Sequence, residues 1–366
     1  MVLELTAKPD AQQACEMWNH FWAGEVKQRP LVLAQVPRDP DRKVPVRSEK
    51  KDRRYANAVL GNYDRELRHI DEILENTLYL AESIPSFRPD HGPDQFAAVA
   101  GGTPLRFSQD DFTTNWIDPV VTSWGDFSPQ LDSENPTWES LLEYTRRLRE
   151  HGKGRYVVSQ LDFHSNADAL SALRNPQRLC LDFMDQPEIV GDALEKVEQL
   201  FPLMYNKIYE TGEMSETGTT CWIPLWCEGR YATIQSDFLC LVGPEIGKKY
   251  ILPALEAEAS FLDHCIFHLD GRGSLVHLDN LLSIKEIEAI QWVPGAGQPP
   301  MHTWTEVLQR CQAAGKKLIV YCGGKDPLGV IQSVLRKLTP AGIVFSVSCR
   351  TRAEVDEILL WLKKNT

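Results

Sequence analysis

The sequence predicts one closed (β/α)8 (TIM) barrel spanning residues 1–366, with an N-terminal helical extension over 1–30 and an irregular elaboration over about 85–150. Three observations carry that prediction. From residue 155 onward, short apolar runs alternate with stretches of helical length, the pattern of parallel strands joined by right-handed crossovers. Seven or eight such units can be counted, the number a closed barrel takes. No GxGxxG or GxxxxGK(S/T) run follows a strand, so neither a dinucleotide nor a P-loop nucleotide site is supported. An open, doubly wound sheet is the competing architecture.

Taken in order, residues 10–25 have helical spacing, with Trp18 and Phe21–Trp22 on one apolar face. Leu31-Val-Leu-Ala-Gln-Val36 is the first buried strand, stopped by Pro37. Residues 50–83 read as a charged, then amphipathic helix ending before Pro85. The loop 88–96 (RPDHGPDQF) holds Asp90, His91 and Asp94, residue types that serve turns more often than catalysis. Residues 97–150 are irregular and close on the helix ESLLEYTRRLREHG. Strand-like runs follow at 155–161, 219–230, 231–241, 265–270, 289–295, 317–323 and 342–349, with helices such as 187–211, 244–262 and RAEVDEILLWLKK among them.

Composition narrows the function. A 43% hydrophobic, 25% charged chain of 366 residues can bury a large core. Its formal charge of -12 and the lack of a Lys/Arg-dense block argue against nucleic acid as a partner. No run of about 18 apolar residues suggests a membrane span, and MVLELTAKPD lacks the apolar core of a signal peptide. The expected compartment is the cytoplasm. The nine scattered cysteines fit free thiols there.

Barrel enzymes gather reactive groups at the C-terminal ends of their strands. Here those ends offer Asp162 and His164; Trp222, Trp226 and Glu228; Asp237; His268 and Asp270; Trp292; Cys322; and Cys349. The run Cys265-Ile-Phe-His-Leu-Asp-Gly-Arg-Gly273 is central. A strand aims residues two apart at one face, so His268 and Asp270 could share a metal or a proton. Each candidate also has a plain structural use. Strand-end polar residues bond the next loop, tryptophans plug barrels, and His277 can cap or pack a helix turn. Asp168 and Arg174 can form an internal salt bridge. Without a metal, Asp270 with Asp162, Glu228 or Asp237 would make the carboxylate pair of a glycoside hydrolase. His164, Trp222, Trp226, Trp292, His277 and Cys322 are the candidates to line the small-molecule pocket, where the tryptophans could stack on a sugar ring.

Several blocks resemble the uroporphyrinogen decarboxylase superfamily, and more narrowly its uroporphyrinogen decarboxylase-like and trimethylamine-corrinoid-associated members. They are FWAGEVKQRPLV (21–32), DALSALRNPQRLCLDFMDQPEIV (168–190), IQSDFLCLVGPEIGKKYILPAL (234–255), FHLDGRGSLVHLDNLLSIKEIEAIQWVPGAG (267–297) and WTEVLQRCQAAGKKL (304–318). The resemblance implies a (β/α)8 barrel and suggests a homodimer. The Arg-Gln-Ala-Gly-Arg motif of the decarboxylase proper is replaced by Ala34-Gln-Val-Pro-Arg-Asp39, and the collected strand ends carry no Arg or Lys for a polyanionic tetrapyrrole. The corrinoid:thiol methyltransferases bind zinc through His-x-Cys on one strand and a distant Cys. His268-Leu-Asp270 and Cys349 stand at those places, with Asp270 for the first Cys. The resemblance thus implies methyl transfer assisted by zinc on His268, Asp270 and Cys349, with a corrinoid on a partner protein as methyl donor; a non-catalytic barrel that binds a corrinoid or a partner protein is the remaining alternative.

Overall fold

Short runs such as LVLAQVP, HCIFHLD and IVFSV, apolar on both faces in the manner of parallel strands covered on each side, build the sheet. The structure, a computed structural model, describes residues 2–42, 54–107 and 114–366. Its strands are β1 (Leu31–Pro37), β2 (Thr77–Ala81), β3 (Ser86–Phe87), β4 (Leu105–Phe107), β5 (Asn115–Ile117), β6 (Val157–Val158), β7 (Tyr231–Gln235), β8 (His264–Asp270), β9 (Ala289–Val293), β10 (Lys317–Cys322) and β11 (Ile343–Val347). Seven form one sheet in the order β2-β1-β11-β10-β9-β8-β7. Every pair in it is parallel except β1 with β2. The strands alternate with helices, and the architecture is a barrel-like α/β fold.

The closed barrel expected from the sequence is corrected in one respect: the hydrogen-bonded sheet is open. β3 and β6 are two residues each and pair with one another. Side chains substitute for main-chain ladder on the β1 flank. Glu82 accepts the Val32 N–H and Ser83 Oγ accepts the Ala34 N–H, both at 2.7 Å. Between β6 and β7 the backbone link is Gln160 N–H to Thr220 O, 2.8 Å. Residues 219–230, expected as a strand, form no strand; Pro224 lacks a donor, and the segment folds back through a Thr219–Cys227 bridge.

Two further differences lie in the first half. The expected helix over 50–83 is two helices, Arg54–Val59 and Tyr63–Asn76, broken at Gly61 (φ +75°) and followed by β2. The stretch read as irregular holds the buried helix Gln95–Ala100 and the β4–β5 hairpin. Uniformly apolar FAAVA has no amphipathic period to announce a helix.

Alternation along the strands divides two hydrophobic clusters. Cys265, Phe267, Leu269, Ile290, Val320, Cys322, Phe345 and Val347 join the layer packed by the helices. Ile266, Ala289, Ile319 and Val344 face the inside, where the helix Ala11–Trp22 and residues 221–227 fill the space. Trp22 stacks on His264, the first residue of β8, with centroids 4.5 Å apart. That helix therefore seals the N-terminal ends of the strands and leaves the C-terminal ends as the open mouth.

Candidate functional site

The inner face of β8 carries Ile266, His268 and Asp270 toward the mouth. β9 pairs His268 with Gln291, and His268 Nδ1 bonds the Gln291 carbonyl Oε1. Gln291 is oriented in turn by its Nε2–H, which donates to Tyr321 Oη at 2.6 Å. An amide oxygen only accepts, so Nδ1 carries a hydrogen, and in the neutral ring the lone pair is on Nε2. The Trp222 ring stands edge-on to the imidazole, 4.9 Å between centroids.

Asp237, two residues past β7, completes this set: one ligand atom each from Asp237, His268 and Asp270 lies within 4.8 Å of the others. Asp270 Oδ1 is buried with no hydrogen-bond partner. Leaving a carboxylate oxygen dry and unpaired is costly, so this atom is a vacancy in the bonding pattern that a cation would fill.

A second group shares Asp237. His164, Asp168 and Asp237 also bring ligand atoms within 4.8 Å of one another. The Asp168 carboxylate accepts the N–H groups of Asp237 (3.0 Å) and Phe238 (2.9 Å), fixing the turn after β7. Gln235 Nε2 donates to Asp162 Oδ1 at 3.2 Å, and His164 Nε2 lies 3.6 Å from that oxygen. Burial disfavours the His164 imidazolium, but Asp162, reinforced by Asp168 and Asp237, pushes its pKa up to about 10. Burial, then the charge of Asp237, raises Asp168 to about 6. His164, Asp168 and Asp237 line a cleft of about 570 Å³ that also takes in Asp94, Trp116 and Leu241.

The predicted residues therefore divide. Asp162, His164, Trp222, Asp237, His268 and Asp270 belong to this mouth. Cys349 does not join the His268–Asp270 group, which corrects the expected ligand set; Asp237 takes the third place. In β11 the residues of its parity, Ile343, Phe345 and Val347, face the helices, and Cys349 packs with that layer. It lines a different cavity of about 260 Å³, with Ser83, Pro224 and Ser348. Cys322 lies in the helix-packed layer, its thiol pushed by burial to about 12. Trp292 likewise faces outward, against Trp304.

Trp226 sits at the sealed end, where its carbonyl accepts the Trp22 Nε1–H at 2.8 Å. Glu228 is there too, 3.4 Å from Asn19 Nδ2 and ahead of the first residue of β7, so it drops out of the carboxylate pair. His277 is fully buried, its Nε2 facing the carbonyls of Leu239 and Val242 at 3.0 Å each. It ties the turn after β8 to the turn after β7. Arg174 pairs with Asp182 at 2.6 Å, not with Asp168.

Sequence reading missed Gln291, Tyr321 and Arg88. Arg88 follows β3 directly, pairs with Asp90 at 2.8 Å and feels the charge of Asp162, so one strand end does carry a guanidinium. Gln291 and Tyr321 were findable: each stands on the inward parity of its strand.

No family model matches the chain, and no curated protein matches it. A solved structure, a methyltransferase from Methanosarcina mazei, superposes with a TM-score of 0.61 over 96% of this chain and 98% of that chain, at 12% identity. At that identity the likeness speaks for the fold, shared from end to end.

Proposed function

We propose that this chain is a methyltransferase acting on a small molecule, with a divalent metal centre held by Asp237, His268 and Asp270. One observation carries the reading: three potential ligands converge at the mouth around a buried carboxylate oxygen that nothing in the protein satisfies. The end-to-end fold likeness to a methyltransferase supports it. The donor set fits zinc, which accepts nitrogen and oxygen and is catalytic when three protein ligands leave a position open. Without thiolate it is a harder set than the one expected from His268, Asp270 and Cys349. When bound, such an ion supplies the positive charge that lets a thiol lose its proton near neutral pH.

The remaining work falls to the chain. Gln291 and Tyr321 fix the His268 ring, Asp168 fixes the turn bearing Asp237, and Trp222 covers one side of the imidazole. We propose a corrinoid on a partner protein as methyl donor, approaching at the cleft whose rim exposes Trp116 (42%) and Leu241 (56%).

The test is metal content at neutral pH of the wild type and of His268→Ala, Asp270→Asn and Cys349→Ala. About one equivalent is expected in the wild type and in Cys349→Ala, and under about a tenth in the other two. Wild type below about a tenth under loading conditions overturns the reading. Glycoside hydrolysis is the second reading, favoured by one distance. One oxygen of Asp237 and one of Asp270 lie no more than 4.8 Å apart, shorter than the roughly 6.5–9.5 Å spacing of an inverting pair. Turnover of aryl glycosides, abolished in Asp270→Asn, would decide for it.

A further inference from the structure

We propose that Glu258 is a positioning residue: from behind the sheet it holds the loop 164–166 and the end of β7 in the arrangement that brings His164, Asp168 and Asp237 together. The proposal rests, for its consequence at the metal centre, on the reading of Asp237, His268 and Asp270 given above.

The two halves of the mouth are carried by strands that share no ladder. β6 pairs with β3 and β7 with β8, so nothing in the sheet sets His164 and Asp168 relative to Asp237. Side chains bridge that seam. Asn166 Nδ2 donates to the Gln235 carbonyl, two residues before Asp237, at 3.0 Å. The same amide donates to Glu258 Oε1 (3.2 Å) and Oε2 (3.3 Å), and Ser165 Oγ donates to Oε1. Glu258 stands on the helix Leu252–Phe261 and is completely buried.

The loop it grips is strained. His164 has φ +38° and Asn166 φ +48°, the left-handed region that residues with a Cβ enter at a cost and keep only where the surroundings impose it. Glu258 bonds the residue between them and the second of them, and so supplies that imposition. Burial, with Glu198 and Asp168 adding repulsion, pushes its carboxyl up to about 8 against the bonds from Ser165 and Asn166. Glutamine keeps an acceptor oxygen for the Ser165 and Asn166 bonds made to Oε1, and leucine keeps none.

The test uses the full-length chain, with Co²⁺ alone as probe followed by visible absorption, and hydrogen exchange at residues 235–241. Glu258→Gln should keep the wild-type bands and affinity within about threefold, while Glu258→Leu weakens binding by about tenfold or more, the usual range for a supporting residue. Asn166→Gly is the second variant. Glycine takes the left-handed φ freely, so this chain folds without the strain yet loses the amide bridge, and it should weaken Co²⁺ binding as Glu258→Leu does.

In both weakened variants the Asp237 and Phe238 amides, which donate to Asp168, should exchange faster; in Glu258→Gln they should not. Wild-type Co²⁺ binding in Glu258→Leu and Asn166→Gly overturns the proposal, as does a Glu258→Gln protein as weak as Glu258→Leu. A wild type that binds no Co²⁺ defeats the metal reading, and the exchange rates then decide on Glu258 alone.

Discussion

Glu258→Gln should remove a pH dependence of folding. The buried carboxyl is raised from 4.5 to about 8, so between those values the folded chain keeps a proton that the unfolded chain has released. Rising pH then costs stability. The contribution is fully present below the unfolded value and lost as pH climbs through the folded one, at about 1.4 kcal/mol per pH unit. From about pH 5.5 to about pH 7.5 the wild type should lose roughly 2–3 kcal/mol that the glutamine variant keeps. Glu198, which burial and Glu195 raise to about 7, and Asp168, raised to about 6, slope the same way in both proteins. The difference between the two chains is therefore the quantity to measure. Denaturant unfolding of both at three pH values across the window gives it. Parallel curves, or a gap that closes as pH rises, would refute the reasoning.

Three other expectations follow from the packing. Trp226→Ala should cost about 3–5 kcal/mol in unfolding experiments, because the fully buried indole fills the sealed end, yet leave metal stoichiometry unchanged. Glu82→Ala should cost on the order of 3–5 kcal/mol, since it strands Arg29, bonded to both carboxylate oxygens at 2.9 and 2.7 Å, and frees the Val32 N–H; Arg29→Ala combined with it should recover part of that loss. Gly218→Ala should lower the melting temperature sharply: its φ is +76° and a Cβ there would lie 2.4 Å from the Trp226 ring nitrogen.

Much of the second half of the fold was legible, because β8 to β11 and their helices follow the simple rhythm of short apolar strand and amphipathic helix. The first half was not. β2 hides at the end of a helical pattern, and β3 and β6 are too short to leave a period. The bonds of Glu82 and Ser83 to the β1 backbone, where side chains stand in for ladder partners, are signalled by no spacing.

At the site, period two identified His268 and Asp270 as one face. The same rule applied to β11 sets the inward run at 344 and 346, and Cys349, two residues past the last residue of that strand, packs against the helix-side layer. Trp292 likewise has the parity of outward Ile290. Glu228 was misplaced for a different reason: residues 219–230 resembled a strand ending in a carboxylate, whereas they fold back into the sealed end. Arg88 was hidden because it follows a two-residue strand inside a turn-rich run.

Asp237 stands within reach of two imidazoles, His164 and His268, with a cluster on either side. A carboxylate drawn tightly to one neighbour presents less charge to the other. Asp237 is the one residue common to both groups. The two walls of the mouth therefore meet at a single carboxylate, carried by the turn after β7 that Asp168 pins.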